Sequence, residues 1–228
     1  MVEEIRQKAA EYSGLSSDPY FLAVVQEIGK IRREDFVPSQ QRRNAYRGVP
    51  LPIGFEQTIS DPYIVAVMIA ASRVQSQTNV LEVGTGSGYQ AAVLSKLGAR
   101  VHTLEIVAPL AVAAARRLRR LGIRNVSVKA GDGFAGWPEF GLYGAIIVTA
   151  GAAEIPPVLL AELEVGGRLI MPIGPQGPLE QLVLVTKREN GNFVRCSLGP
   201  TMFVPLTGLG ERPASMKGIY DRSLAPCF

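Results

Sequence analysis

The sequence has few of the residues that build most nucleophilic and metal-binding sites. Among 228 residues there are two cysteines, Cys196 and Cys227, and a single histidine, His102. The cysteines lack metal-ligand spacing and fit a reducing compartment. Because His102 lies inside a predicted strand, we expect it to be structural. Neither a Ser–His nor a Cys–His catalytic pair is therefore predicted.

No apolar run in the sequence is long enough to cross a bilayer. Stretches such as residues 63–71 and 145–150 are far shorter than the roughly 20 residues that a transmembrane helix needs. The first residues, Met1 to Glu4, show no basic segment followed by an apolar one, so we expect no signal peptide. With 47% hydrophobic residues the chain can bury a large core. A soluble cytoplasmic protein is predicted.

Positive charge exceeds negative charge modestly, giving a formal net charge of +4. The excess is concentrated at Arg42, Arg43, Arg47, Arg116, Arg117, Arg119, Arg120, Arg124 and Lys129. A basic surface can bind nucleic acid. Residues 111–121, however, alternate apolar and basic residues at helical spacing without aromatic residues between them, which favours the solvated face of an amphipathic helix. We therefore expect no nucleic-acid partner.

A glycine-rich stretch, Val80-Leu81-Glu82-Val83-Gly84-Thr85-Gly86-Ser87-Gly88-Tyr89, organises the chain. Residues 79–83 are predicted to form a buried strand, and a helix is predicted to begin near Tyr89. The three glycines allow a sharp turn and close approach of a ligand, and the following helix points free N–H groups at that turn. Glu105, at the end of the next predicted strand, supplies the acidic residue that completes a nucleotide-type site.

The spacing of the glycines distinguishes between cofactor classes. A dinucleotide turn has the form G-x-G-x-x-G or G-x-G-x-x-A, whereas this chain has G-x-G-x-G and places Tyr89 where the third small residue belongs. Tyr89 would obstruct a pyrophosphate, which argues against an NAD-dependent oxidoreductase. The form E-x-G-x-G-x-G, beginning at Glu82, instead matches the S-adenosylmethionine turn of Rossmann-like methyltransferases. A glycine-rich connection without a ligand is the structural alternative.

From residue 79 onwards, predicted strands alternate with predicted helices. The strands are expected at residues 79–83, 101–105, 126–130, 143–149 and 168–173, and the helices at 89–97, 108–121 and 156–163. A hairpin of strands 179–188 and 192–198 follows, joined at Asn190-Gly191. This order predicts a doubly wound, Rossmann-like α/β fold with a mostly parallel sheet and an antiparallel C-terminal hairpin. Its ligands would bind at the carboxyl ends of the strands.

The segments on either side of this core are less regular. Residues 1–48 are predicted to be a helical cover over the cofactor turn, with helices at 3–12 and 20–31 and Asp18 as the cap of the second. Residues 49–62 are predicted to be an irregular loop because Pro50, Pro52 and Pro62 exclude a continuous helix. Ser60 can cap the helix that begins near residue 63. Residues 209–228 are predicted to be a C-terminal extension with little periodicity.

Several of these stretches together resemble one family, the protein-L-isoaspartate O-methyltransferases. The resemblance runs from about residue 23 to 208. Its most specific parts are Gln57-Thr58-Ile59-Ser60 and Phe203-Val204-Pro205-Leu206-Thr207, whereas the glycine turn is common to methyltransferases in general. The other matching stretches are residues 33–38, 45–46, 50–54, 81–92, 131–133, 136–138, 147–150 and 166–168.

The resemblance implies methyl transfer from S-adenosylmethionine to the free α-carboxylate of L-isoaspartyl residues in damaged proteins and peptides. S-adenosylhomocysteine would be the product, and repair would proceed through a succinimide. Ser60 would be the active-site residue. Substrate would be bound by Gln57, Thr58, Ile59, Val204 and Leu206. Cofactor would be bound by Glu82, Gly84, Thr85, Gly86, Ser87, Gly88, Glu105, Asp132, Gly133 and Thr207. We expect a monomer with one domain over residues 1–208, whose Rossmann-like core is 79–208, and neither metal nor membrane contact.

Two residues depart from the family's pattern. Glu56 stands where the family often has glycine, so the loop must differ slightly if that position needs a positive φ. Asp61 adds a second carboxylate beside a pocket that should bind one, and would weaken substrate binding unless it points away. A methyltransferase acting on RNA or a small molecule stays open as an alternative. So does an inactive cofactor-binding protein that binds nucleic acid through its basic face.

Overall fold

The computed structural model describes residues 1–11, 14–175, 180–209 and 224–227. Its helices are α1 Val2–Ala10, α2 Pro19–Lys30, α3 Pro62–Ser72, α4 Tyr89–Lys96, α5 Ala108–Arg120 and α6 Pro157–Ala161. Its strands are β1 Leu51–Gly54, β2 Gln57–Ile59, β3 Asn79–Val83, β4 Arg100–Glu105, β5 Val126–Ala130, β6 Tyr143–Val148, β7 Leu163–Ile173, β8 Glu180–Lys187 and β9 Phe193–Thr201. Within those ranges, no helix combines the length and apolar character needed to cross a membrane.

The large sheet confirms the predicted α/β fold. Its strand order is β5-β4-β3-β6-β7-β8-β9. The pairs from β5 to β7 are parallel, and β7, β8 and β9 pair antiparallel as the predicted C-terminal hairpin. The chain leaves β3 towards β4 on one side and returns to β6 on the other. This reversal opens a crevice at the carboxyl end of β3, where open α/β sheets bind ligands.

Both faces of the sheet are covered by apolar layers. Along β3, Val80 faces one buried cluster, whereas Leu81 and Val83 face the other. The first cluster includes side chains of α1 to α5, and the second includes Leu159 of α6. Alternate strand residues point to opposite faces, so strands buried on both faces are almost continuously apolar. The sheet is thereby a rigid base for the residues at its edge.

The predicted turn at Gly166-Gly167 is instead part of a strand. β7 begins at Leu163, and its pairing with β6 shifts register between Leu163 and Arg168. Gly166 has a φ of 80°, so the glycine pair forms an irregularity inside the strand. Two predicted boundaries, the end of the first helix at residue 12 and the start of a strand at residue 179, lie outside the described residues.

The prediction of an irregular loop over residues 49–62 is wrong for its central part. β1 and β2 form an antiparallel hairpin that pairs Leu51 with Ile59. The prolines exclude a helix but permit a two-stranded edge. Phe55 and Glu56 turn the hairpin with φ values of 52° and 59°. Glu56 therefore occupies a left-handed conformation, at a cost of roughly 1–2 kcal/mol relative to glycine.

The two cysteines are paired. Cys196 of β9 forms a disulfide with Cys227, and the Cys227 N–H donates to the Ser197 carbonyl at 3.0 Å. This pairing corrects the association of the cysteines with a reducing compartment. Of the predicted C-terminal extension, residues 210–223 and 228 lie outside the described residues.

Candidate active site

The glycine-rich turn follows β3 at the carboxyl edge of the sheet. Gly84 has a φ of 97°, and a Cβ added there would lie 2.2 Å from Thr149 Oγ1. The Thr149 hydroxyl donates to the Gly84 carbonyl at 2.8 Å. Gly86 and Gly88 also have positive φ values, of 52° and 83°. A side chain at Gly84 would therefore be strained and would collide with the end of β6.

Glu105, at the end of β4, braces the same turn. Its Oε2 accepts the Gly86 N–H at 2.7 Å, and its Oε1 accepts the Val107 N–H at 3.0 Å. Arg117 of α5 adds a second contact, because its Nη1 donates to the Ser87 carbonyl at 2.7 Å. A buried carboxylate held beside a glycine turn is the type of acceptor that binds ribose hydroxyls.

Two cavities adjoin at this edge. The larger has a volume of about 370 Å³, and the smaller about 60 Å³. The larger is lined by Pro50, Thr58, Ile59, Ser60, Asp61, Ile64, Val65, Gly84, Thr85, Gly86, Ser87, Tyr89, Gln90, Thr149, Thr201, Met202, Phe203 and Val204. The smaller is lined by Gln57, Thr58, Val83, Gly84, Gly86, Leu104, Glu105, Ile106, Gly131, Gly133, Thr149, Ala150, Val204, Pro205, Leu206 and Thr207. Shared residues such as Thr58 and Gly84 make the two spaces one candidate site.

Most of the predicted site residues line these two cavities. The sequence alone did not predict which residues line which cavity. Ser60, Ile59, Thr85 and Ser87 line the larger cavity only. The smaller cavity alone contains Glu105, Gly133, Gln57, Leu206 and Thr207. Leu206, predicted for substrate, thus lies with the predicted cofactor residues. Glu82, Gly88 and Asp132 line neither cavity.

Asp132 is occupied by backbone contacts. Its Oδ1 accepts the Phe134 N–H at 2.8 Å, and its Oδ2 accepts the Leu209 N–H at 2.7 Å. The carboxylate therefore joins the turn after β5 to the segment that follows Thr207. As in Glu105, each oxygen can still accept a second hydrogen bond, so contact between Asp132 and the cofactor stays a prediction.

One buried guanidinium organises the segment that carries Ser60. Arg33 Nη1 donates to the carbonyls of Ala45 at 2.6 Å and Arg47 at 3.3 Å. Its Nη2 donates to the carbonyls of Val49 at 3.1 Å and Ser60 at 2.9 Å. Arg33 is 0% exposed, and burial lowers its pKa. Sequence reasoning assigned no role to Arg33, although it holds both ends of the β1–β2 hairpin.

Tyr89 connects this guanidinium to the glycine turn. The Arg33 guanidinium lies 5.8 Å from the centre of the Tyr89 ring, and Phe36 packs edge-on against that ring at 5.4 Å. Phe36 belongs to the short 3-10 helix Arg33–Phe36 after α2. The N-terminal segment therefore packs against the first residue of α4, next to the glycine turn, as expected of the predicted cover.

The predicted helix cap at Ser60 is wrong. Asp61 is the N-cap of α3, and its Oδ1 accepts the Tyr63 N–H at 2.8 Å. Its Oδ2 accepts a hydrogen bond from Lys8 Nζ at 2.7 Å. The cap therefore uses the carboxylate of Asp61, and Ser60 lines the larger cavity one residue before it.

Comparison with known proteins identifies the family. Residues 15–211 match the family model described as protein-L-isoaspartate(D-aspartate) O-methyltransferase. The chain belongs to that family. Protein-L-isoaspartate O-methyltransferase 2 of Polaromonas sp. (strain JS666 / ATCC BAA-500) is 47% identical over 212 residues, which are 91% of this chain and 99% of that relative. The protein-L-isoaspartate O-methyltransferase of Gloeobacter violaceus (strain ATCC 29082 / PCC 7421) is 49% identical over 185 residues, 81% of this chain and 90% of its own.

Solved structures agree with this family assignment. A protein-L-isoaspartate O-methyltransferase structure is 30% identical, with a TM-score of 0.75 over 91% of this chain and 66% of that one. The structure of a Plasmodium falciparum protein described as a candidate member of the family, in complex with S-adenosyl-L-homocysteine, has a TM-score of 0.73 at 23% identity. It covers 90% of this chain and 97% of its own, and shows that the fold is shared.

In this family member Glu82 lies beneath the site rather than in it. It is 0% exposed, and Thr103 Oγ1 donates to its Oε2 at 2.5 Å. Thr103 Oγ1 also lies 2.7 Å from the hydroxyl of Thr85, which lines the larger cavity. Burial, with a smaller contribution from the charge of Glu105, raises the pKa of Glu82 to about 8. Glu82 is therefore separated from the cavity by other side chains, namely Thr103 with Thr85, and Gln90. This position does not support direct cofactor contact.

Replacing Glu82 with glutamine should flatten the pH dependence of stability. The folded state favours protonated Glu82, whose pKa rises from 4.5 to about 8. The contribution of protonated Glu82 to the free energy of unfolding is therefore fully present below pH 4.5 and is lost as the pH rises towards 8. That loss approaches about 1.4 kcal/mol per pH unit. Glutamine stays neutral, so urea unfolding at pH 5, 6, 7 and 8 should show that the free energy of unfolding of Glu82→Gln increases with pH relative to that of the wild type. Exposed Glu189→Gln is the control, and parallel curves for Glu82→Gln and wild type would contradict the expectation.

Proposed function

We propose that the chain transfers a methyl group from S-adenosylmethionine to the free α-carboxylate of L-isoaspartyl residues, with Ser60 as the residue that orients the acceptor. Membership of the family supplies the reaction and its donor. One observation carries the assignment of roles. Ser60 and Thr58, from the family-specific stretch, line the same cavity as Gly84 and Gly86 of the glycine turn. Acceptor and donor can therefore meet in one space.

The residues at the glycine turn fit S-adenosylmethionine. The left-handed backbone at Gly84, Gly86 and Gly88 allows the donor's amino-acid end to approach closely. Glu105 presents a braced carboxylate in the smaller cavity for the ribose hydroxyls. Gly133 lines the same cavity, and a Cβ there would lie 2.2 Å from Val83 Cγ1, so a larger residue could not keep this close packing against the end of β3. S-adenosylmethionine supplies a methyl group on a sulfonium, which is already an activated leaving group.

This chemistry needs alignment more than proton transfer. A carboxyl group with a pKa of about 4 is already ionised at neutral pH, so the acceptor requires no general base. The Ser60 hydroxyl can donate a hydrogen bond to one carboxylate oxygen and thereby aim the other at the methyl carbon. Apolar residues such as Ile59 and Phe203 line the larger cavity and would help to keep water from the reacting atoms once both ligands are bound.

The single histidine agrees with a mechanism that uses no histidine base. His102 lies on β4, stacks on Phe140 at 3.9 Å and meets the edge of Trp137 at 5.6 Å. Burial lowers its pKa, which favours the neutral imidazole. His102 lines neither cavity, so the structural role expected from the sequence is supported.

The product ester would collapse to a succinimide, and hydrolysis would return part of it to normal aspartate. The partners would be damaged proteins and peptides rather than nucleic acid. Arg117 of the basic helix supports this view, because it is partly buried and donates to the glycine turn instead of facing solvent. A monomer, with its catalytic unit in residues 1–208, completes the proposal.

A radiolabelled-methyl assay tests this function directly. The protein is incubated with labelled S-adenosylmethionine and either an isoaspartyl peptide or its aspartyl twin. We expect base-labile label on the isoaspartyl peptide only, because only that isomer has a free α-carboxylate. Excess S-adenosylhomocysteine should suppress the labelling. Equal labelling of both peptides, or label that resists base, would contradict the proposal.

A further inference from the structure

Lys8 of α1 contacts the candidate site although it lies before residues 15–211, which match the family. Its Nζ donates to Asp61 Oδ2 at 2.7 Å and to the Gly48 carbonyl at 2.9 Å. Asp61 lines the larger cavity, and 16% of its side chain is exposed. The ammonium group of Lys8 therefore contacts the carboxylate of a residue that lines the cavity.

The carboxylate of Asp61 cannot turn away from this position without a cost. Its other oxygen caps α3 through the Tyr63 N–H at 2.8 Å. Removing a cap of this kind destabilises a helix. The cap thus fixes a negative charge one residue from Ser60, at the wall of the cavity where a substrate carboxylate is expected. Two carboxylates in a partly buried space repel each other strongly.

We propose that Lys8 is a positioning residue that neutralises Asp61, so that the larger cavity accepts the negatively charged isoaspartyl group. The inference rests on the proposed function. Arg33 also interacts electrostatically with Asp61, but its donors are directed at carbonyl oxygens. Glu4 of α1 accepts the Gly48 N–H at 3.0 Å, which helps to hold α1 against the segment before the hairpin. Helix α1 thereby adds a specificity element outside the matched region.

Kinetics of single and double variants test this role. Lys8→Met should raise KM for an isoaspartyl peptide about tenfold, equivalent to about 1.4 kcal/mol, with little change in kcat. Asp61→Asn keeps a capping side chain and should lower KM, because the charge of Lys8 is then uncompensated. The double variant Lys8→Met/Asp61→Asn should return KM close to the wild-type value. Binding of S-adenosylhomocysteine, measured by calorimetry, should be the same in all four proteins.

Two comparisons separate this role from a structural one. If Lys8 acts through Gly48 alone, Asp61→Asn will not rescue Lys8→Met, and that result would overturn the proposal. A wild-type KM in Lys8→Met would do the same. Lys30→Met is the matched control, because Lys30 pairs with Glu27 at 2.6 Å on the exposed face of α2. It should behave as wild type.

The same measurements distinguish failure of the proposed function from failure of the Lys8 proposal. Failure of the proposed function would appear as wild-type protein that does not label an isoaspartyl peptide. Failure of the Lys8 proposal would appear as active wild-type protein whose KM is insensitive to the charge at residue 8. If Lys8→Met does not fold, Lys8→Gln and its double variant with Asp61→Asn give the same test, and Lys8→Arg should keep a low KM.

Discussion

Replacement of Arg33 by methionine should lower the free energy of unfolding by about 3–5 kcal/mol, because several carbonyl groups would lose their donor at ~1–3 kcal/mol each. Arg33 donates to the carbonyls of Ala45, Arg47, Val49 and Ser60. Methionine keeps an unbranched apolar side chain but donates no hydrogen bond. Urea unfolding monitored by far-UV circular dichroism would measure the change. Activity should fall too, because the Ser60 carbonyl would no longer be anchored.

The neighbouring arginine provides the control. Arg32 pairs with Glu34 within the same turn, and 71% of its side chain is exposed. Exposed pairs of this kind contribute little, so Arg32→Met should unfold nearly as wild type does. Arg33→Lys should fall between the two, because lysine keeps the charge but cannot direct donors as a planar fork. Equal stability of Arg33→Met and Arg32→Met would contradict the role assigned to Arg33.

The elements that the sequence predicts well are those specified by local pattern. Strand β3 and helix α4 follow from apolar spacing and from glycines whose positive φ values only glycine adopts easily. The hairpin over residues 51–59 was not predicted, because Phe55 and Glu56 are not typical of left-handed turn positions. There the pairing of β1 with β2 prevails over the preference of individual residues.

The contacts that hold the site in place could not be predicted from the sequence for a different reason. Arg32 and Arg33 are adjacent and identical in type, yet one is exposed and the other is 0% exposed. Lys8 and Asp61 are separated by 53 positions along the chain. Neither periodicity nor spacing identifies such contacts, since they depend on how α1 and the hairpin pack. The resemblance assigned a role to Ser60 and included Arg33 and Thr149 only in matching stretches, whereas the contacts of Arg33, Thr149 and Lys8 emerged from the structure.

The cap of α3 shows how a prediction can be wrong by one residue. Ser and Asp are both good caps, and both precede Pro62. The sequence therefore allows either to cap α3. In the structure Asp61 takes the cap and Ser60 faces the cavity. The correction strengthens the functional assignment, because a hydroxyl engaged as a cap would be less able to bind a substrate.

Ser60→Ala should reduce kcat/KM for an isoaspartyl peptide by about 10–150-fold, because a hydrogen bond to a charged group contributes about 1.5–3 kcal/mol. The backbone contact from Arg33 to the Ser60 carbonyl, at 2.9 Å, is unaffected by this change, so the segment should keep its shape. The glycine turn and Glu105 lie on other elements. S-adenosylhomocysteine should therefore bind with wild-type affinity, which calorimetry can measure beside the kinetics.

The pattern of loss identifies what the hydroxyl does. If Ser60 only orients the substrate carboxylate, Ser60→Thr should retain part of the activity, since threonine keeps a donor at the same position. Ser39→Ala, at the exposed start of the 3-10 helix Ser39–Asn44, should leave kinetics unchanged. Unchanged turnover in Ser60→Ala would reject the role of Ser60. A parallel loss of S-adenosylhomocysteine binding would show instead that the substitution disturbs the cavity shared by both ligands, and would move Ser60 from acceptor orientation to the architecture of the site.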